Sequence, residues 1–241
     1  MKYRTVIKMG QTVIAALSVC LLLSAAARAD NFAANVSKLD GKAFVASIGG
    51  VTRTLQINDR LYERDRVITS RDTSLDITFT DGTVLTLGAS TIIRVDSYKY
   101  RKKNDTAKAD AAEEGFSTFI LKGVVRAITG LLAKRRPFSV KFRMKVATIG
   151  IRGTHFTAEV DGDSATIILL AQQDTNASNA IEVSNAYGKV EINKPGWGTE
   201  IPDAKSPPSP PRQMRSMNSM SRILRSIQTT GRVRIPRSPR H

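Results

Sequence analysis

The chain is poor in the residues that carry most enzyme chemistry. In 241 residues it has one cysteine, Cys20, two histidines, His155 and His241, and one tryptophan, Trp197. With so few N and S donors, a three- or four-ligand zinc site is excluded in practice. A Ser-His-Asp or Cys-His set could be built only around His155, and nothing nearby supplies its partners. No GxGxxG and no GxxxxGK[ST] phosphate loop occurs. Asp161, Asp163 and Asp174 lack the regular carboxylate spacing of a calcium loop, so Asp161-Gly162-Asp163 is expected to be a plain hairpin turn. No paired carboxylates for glycoside hydrolysis stand out. The expectation is a non-enzyme without a metal or cofactor.

Long apolar runs are also scarce. Lys2, Arg4 and Lys8 precede an apolar stretch from Val13 to Ala27, and Ala27-Arg28-Ala29 forms an A-x-A pattern ahead of Asp30. This is the arrangement of a secretory signal peptide, residues 1–29, cleaved after Ala29. The run falls short of the roughly 20 apolar residues that span a bilayer. Val19 stands where a lipoprotein signal would carry a small residue. Cleavage removes Cys20, so the exported chain is expected to have no disulfide, no thiol and no transmembrane segment.

Acidic residues are missing from both ends. The formal net charge is +16, yet residues 30–204 hold 24 cations against 21 acids. The tail from Lys205 to His241 supplies nine cations and no acid, beginning with Pro207-Pro208-Ser209-Pro210-Pro211. Such a segment favours an extended, solvated backbone, and residues 205–241 are expected to be disordered. Peripheral membrane contact through this tail is one use for it. Export leaves little nucleic acid to meet, so none is expected as a partner.

Between these ends the chain is built of short strand-like runs. Leu75, Ile77 and Phe79 alternate with Asp76, Thr78 and Thr80, and Asp81-Gly82 follows as a hairpin turn. Phe116–Leu121 and Val124–Ile128 flank a Lys122-Gly123 turn. Val140, Phe142, Met144 and Val146 alternate with Ser139, Lys141, Arg143 and Lys145 and lead into Ala147-Thr148-Ile149-Gly150-Ile151-Arg152-Gly153-Thr154-His155-Phe156. Asp81-Gly82-Thr83 is echoed by Arg152-Gly153-Thr154, each between apolar strands. About a dozen short strands without a core-facing helix imply an all-β fold of residues 30–204, with its core at about 40–195, either a twisted β-solenoid-like or a sandwich-like stack. A connecting loop over Tyr100–Gly115, a helical turn at Ala109–Glu114 and a polar loop over Gln172–Asn179 complete the expectation.

Three features have uses beyond folding. The basic face Lys141, Arg143, Lys145, close to Lys134-Arg135-Arg136, could hold an anion, or it could be a solvated face that discourages edge pairing. Trp197 between Gly196 and Gly198 could stack on a ligand or close the core. His155 is expected to be a satisfied or surface histidine, and Arg152 to pair with a carboxylate or with backbone carbonyls.

The runs Gly41–Val51, Ile57–Leu61, Val67–Ser70 and Leu75–Thr83 resemble the first half of a FecR domain. Leu121–Gly130 and Ala147–Phe156 resemble its second half. The resemblance covers roughly residues 40–195, with Asp81, Gly82, Thr83, Gly123, Arg126, Gly130, Gly150, Arg152, Gly153, Thr154 and Phe156 as its structural motif positions. It implies an all-β, solenoid-like domain of the periplasm or exterior without catalytic residues. The iron-citrate regulators of this family also carry a sigma-factor-binding segment. The residues before Val13 are too few for one, so sigma-factor regulation is not expected here. The resemblance implies a binding, scaffold or signalling-type module for an unknown protein or envelope polymer. The alternative is an envelope protein that binds lipid phosphate or polysaccharide through the tail and the Lys141 face.

Overall fold

The computed structural model describes residues 32–101, 114–171 and 179–214. The expected signal peptide, the helical turn before Glu114, nearly all of the polar loop and the tail beyond Met214 lie outside these residues. The strands, in chain order, are β1 (Ala34–Asp40), β2 (Ala43–Ala46), β3 (Thr52–Thr54), β4 (Arg60–Leu61), β5 (Arg66–Thr69) and β6 (Ser74–Phe79). Next come β7 (Val84–Leu87), β8 (Ile92–Lys99), β9 (Gly115–Ile128), β10 (Val140–Arg143), β11 (Thr148–Arg152) and β12 (His155–Asp161). The last are β13 (Ser164–Leu169), β14 (Ala180–Asn185), β15 (Gly188–Ile192), β16 (Trp197–Ile201) and β17 (Arg212–Gln213).

They form two sheets that share one strand. The first runs β4-β1-β6-β7-β9-β12-β13-β16-β17. The second runs β3-β2-β5-β8-β9-β10-β11-β14-β15. Both advance in the same direction as the chain, because successive hairpins are dealt alternately to one sheet and the other. The two expected descriptions therefore merge: the layers are those of a sandwich, and the progression is that of a solenoid. β9 and β10 pair in parallel.

The core follows from period-two alternation. Leu75, Ile77 and Phe79 from the first sheet are buried, as are Ile93, Val95, Val140 and Phe142 from the second, in one continuous cluster. Five rings run through it in contact: Tyr98–Phe79, Phe79–Phe116, Phe116–Phe142 and Phe142–Phe156, with centroids 4.5–5.6 Å apart. Such pairs add roughly 0.5–1.5 kcal/mol each beyond burial.

Several local expectations are corrected. Lys122-Gly123 is not a hairpin turn. β9 continues through it, with residues up to Lys122 in the second sheet and those from Gly123 in the first. β10 stops at Arg143, because the Met144 N–H bonds to the Ala147 carbonyl (2.9 Å) and turns the chain back into β11. Lys145 therefore lies in that turn and not on the strand face. Leu131–Arg135 forms a short helix, α1, where only a connection was expected. Trp197, between two glycines, begins a strand.

Residues 205–214 are expected to be part of the disordered tail, but Ser206 accepts from Asn185 of β14 (2.8 Å) and the segment from Pro208 onward lies on the first sheet. Ser209 accepts from the Thr199 hydroxyl (2.7 Å), Pro208 is buried, and β17 pairs with Trp197 and Gly198. Met214 packs with Val124, Ile168 and Leu170 on the outer side of that sheet.

Candidate functional site

The sites where the chain crosses between the sheets are built from buried threonines. On one flank the Lys42 N–H donates to Thr73 Oγ1, which donates to the Lys42 carbonyl (both 3.0 Å). Val124 and Thr91 make the same reciprocal pair, at 3.0 and 3.2 Å. On the other flank the Thr154 N–H donates to Thr129 Oγ1 (2.8 Å), and that hydroxyl donates to the Thr154 carbonyl (3.0 Å). A β-branched hydroxyl can satisfy both backbone groups of a neighbouring crossing while its methyl joins the core.

Asp81-Gly82-Thr83 belongs to this second flank. Asp81 is 2% exposed. Its carboxylate accepts from the Thr83 N–H (3.0 Å), the Thr83 hydroxyl (2.9 Å), the Leu132 N–H (3.3 Å) and Tyr98 Oη (3.3 Å). The Leu131 N–H bonds to the Asp81 carbonyl (2.9 Å), so this turn serves the N-terminus of α1 from fifty residues away. Burial pushes the Tyr98 phenol well above its ordinary value, which keeps it a neutral partner. Gly130 fits here because a Cβ would collide with the Asp81-Gly82 backbone. The echo of the two Gly-Thr turns is spatial: Thr83 Oγ1 accepts from the Gly130 N–H (2.9 Å), one residue beyond the Thr129 that serves Thr154.

The stretch 146–156 is structural in the same sense. Gly150 passes under the Phe138 ring, Gly153 has φ +53°, and Phe156 is fully buried. The Arg152 guanidinium stacks on Phe138, 5.3 Å from the ring centroid; among the described residues it meets no carboxylate. His155 Nε2 accepts from Arg126 Nε (2.7 Å), and Nδ1 donates to the Ala171 carbonyl (2.8 Å), which fixes a neutral tautomer. Desolvation, followed by the Arg126 charge, lowers its pKa against the opposing Ala171 bond.

A depressed imidazole means that the unfolded chain protonates first as pH falls. This contribution to stability is complete above the ordinary value of 6.5 and is lost as pH drops from there toward the folded value. Stability measured by urea unfolding between pH 7.5 and 5 is expected to fall less in His155→Gln than in the parent. Parallel curves would exclude the Arg126–His155 pair as the cause.

The surface that could meet a partner is the outer face of the second sheet. Register places Arg66 opposite Arg94, Arg94 opposite Phe119, and Phe119 opposite Arg143. The Arg94 guanidinium lies 5.5 Å from the Phe119 centroid and bonds to Asp96 (2.6 Å). Arg143 reaches the other Asp96 oxygen at 3.9 Å. Lys141 is exposed two residues along. Sequence reasoning found Lys141 and Arg143 but missed Arg66, Arg94 and Phe119. These residues also alternate with apolar neighbours, but they become adjacent only through strand register.

The other expected anion residues are dispersed. Lys145 pairs with Asp163 (2.5 Å). Lys134 and Arg135 are on α1, and Arg135 lies over Tyr100. Arg136 caps that helix. Trp197 is in the first sheet with Lys194 over its ring. Among the described residues no three His, Cys, Asp or Glu side chains come together as a metal site, and no helix is long and apolar enough to cross a membrane.

Two crystal structures of a candidate anti-sigma factor from Parabacteroides distasonis ATCC 8503 are similar at 13% identity, with TM-scores of 0.47 and 0.46. The match covers 65% and 66% of this chain, and 62% and 64% of theirs, so the chain spans less than two thirds of their length. A solved cell surface anchoring domain matches 27% of the chain at 34% identity, covering 84% of that domain with a TM-score of 0.26. No curated protein matches. The family model described as FecR protein matches residues 65–173, from β5 through the Gly-Thr junction to just past β13. Over those residues, which include the Asp-Gly-Thr and Ile-Arg-Gly-Thr turns, the chain is similar to the FecR family.

Proposed function

We propose that the chain is a non-catalytic, extracytoplasmic binding module that holds a protein or envelope polymer on the outer face of its second sheet. The observation that carries this reading is the row Arg66, Arg94, Phe119, Arg143. Three arginines and an aromatic ring stand side by side there across four strands, next to exposed Lys141. Such a face gives orientation and electrostatic steering together with apolar contact area. The export pattern at residues 1–29 supports the compartment.

Lys141→Glu combined with Arg143→Glu is expected to weaken retention of the envelope partner by about tenfold or more, with unchanged far-UV circular dichroism. Retention measured on the immobilised full chain at 50 and 300 mM salt checks it. Unchanged retention by the double variant would remove this face from consideration. A second reading, attachment of envelope anions through the arginine tail, predicts that replacing the tail arginines by glutamine abolishes binding at low salt. Retention that survives both that change and high salt counts against it.

A further inference from the structure

Where β5 leaves the second sheet and β8 enters it, the outer face ends in an open groove of about 430 Å³. Ser70, Arg71, Ser90 and Lys122 wall it, and Ile68 and Ile92, opposite each other in register, form an apolar floor. The volume is in the range of about 300–1,000 Å³ in which small ligands bind. The walls are held from below. Thr69 Oγ1 donates to the Gly88 carbonyl (2.6 Å) and accepts from the Thr91 N–H (2.9 Å), and the Ser90 N–H bonds to the Ser70 carbonyl (3.0 Å). Lys122 stands at the bend of β9 that Thr91 grips through Val124.

Three observations point to a ligand. Among the described residues, the hydroxyls of Ser70 and Ser90 and the charged ends of Arg71 and Lys122 have no hydrogen bond or ion pair. Elsewhere on this sheet Arg94 and Arg143 have Asp96, and Lys189 has Glu182. No carboxylate lines the groove, although Asp72 follows Arg71 in the same turn. Ser90 is held at φ +52°, a left-handed conformation that is unfavourable for a serine and that glycine adopts freely. A strained residue that puts a hydroxyl at the rim of a cavity is where function is expected to outweigh stability.

Resting on the binding-module reading, we propose that this groove binds a carboxylated sugar unit of an acidic polysaccharide. The branched floor takes the C–H face of a sugar ring, the two serines pair with its hydroxyls, and Arg71 and Lys122 take the carboxylate from opposite walls. A bare phosphate would leave the floor uncovered. The concavity and the absence of a protruding large apolar side chain among the lining residues disfavour a membrane surface. Without an aromatic ring in the groove there is no platform for a nucleobase.

The test is titration of the full chain with trigalacturonic acid at 50 mM salt, with maltotriose, inorganic phosphate and phosphatidylglycerol vesicles as controls. Arg71→Glu and Lys122→Glu are each expected to weaken trigalacturonate binding about tenfold with unchanged far-UV circular dichroism. Ser90→Gly is expected to weaken it about threefold while raising the melting temperature, a pair of effects that a purely structural serine would not give. Maltotriose binding as tightly as trigalacturonate, or phosphate displacing it at equal concentration, overturns the sugar-acid assignment. Vesicle binding that the groove variants abolish overturns it in favour of lipid. If Lys141→Glu with Arg143→Glu abolishes trigalacturonate binding and the groove variants do not, the face stands and the groove falls. Trigalacturonate that fails to bind a chain still retaining its envelope partner overturns the groove alone.

Discussion

Asp81→Ala is expected to lower stability by about 3–5 kcal/mol. The carboxylate is 2% exposed and accepts from a hydroxyl, a phenol and two backbone N–H groups. Truncation leaves these donors buried. Each stranded neutral donor costs roughly 1–3 kcal/mol, with partial relief from rotation of the two hydroxyls. For a domain of this size, 1 kcal/mol corresponds to about 2–4 °C, so the melting temperature should fall by roughly 10 °C. Asp81→Asn keeps the shape and one acceptor, and its loss should be about half as large. Urea unfolding of both variants checks the pair. A loss below about 1 kcal/mol for the alanine variant would mean that α1 and Thr83 find other partners.

Thr83→Val carries the same argument across the junction. It removes the hydroxyl that joins Asp81 to the Gly130 N–H and keeps the branched shape. If the two residues act as one unit, the double variant should lose less than the sum of the singles.

Much of this architecture is legible in the sequence because period-two alternation is local. β6, β12 and β13 can be read from side chains alone, since inward residues such as Leu75, Ile77 and Phe79 are apolar and outward Asp76 and Thr78 are polar. Glycine is ambiguous. Gly82 at φ +85° closes a hairpin, while Gly123 at φ +92° lets one strand bend between two sheets. The same backbone conformation serves two topologies, and the choice depends on Thr91, thirty-two residues earlier. The Pro-rich start of the tail misleads for a related reason. Its composition is that of a solvated segment, yet Ser209 and Arg212 find partners in Thr199 and Glu200.

The candidate face was half legible. Lys141 and Arg143 stand out because they share a strand with Val140 and Phe142. Arg66, Arg94 and Phe119 come from three strands, and only hydrogen-bond register makes them neighbours. The groove was not legible at all. Ser70-Arg71 and Ala89-Ser90 look like ordinary turns, and Lys122 looks like a turn lysine. Their convergence depends on the Thr69–Thr91 clasp, which joins residues twenty-two apart.

Gly123→Ala tests the device that holds the two layers together. An added Cβ would sit 2.6 Å from Thr91 Cα and 2.8 Å from Thr91 Cβ, too close to a backbone that is itself fixed by the Thr69 hydroxyl. The φ of +92° adds the ordinary cost of a left-handed alanine, about 1–2 kcal/mol. Gly82→Ala separates these two costs, because Gly82 has φ +85° and nothing within 4 Å of the added Cβ. The expected losses are about 1–2 kcal/mol at Gly82 and about 3–5 kcal/mol at Gly123, the difference being the collision. Chemical denaturation of both variants gives the comparison directly. Equal losses would show that β9 can shift away from Thr91, and that the crossing is held by the sheets on either side and not by the threonine. A large excess at Gly123 would establish the bend as the point where sheet pairing, the threonine clasp and the position of Lys122 depend on one missing methyl group.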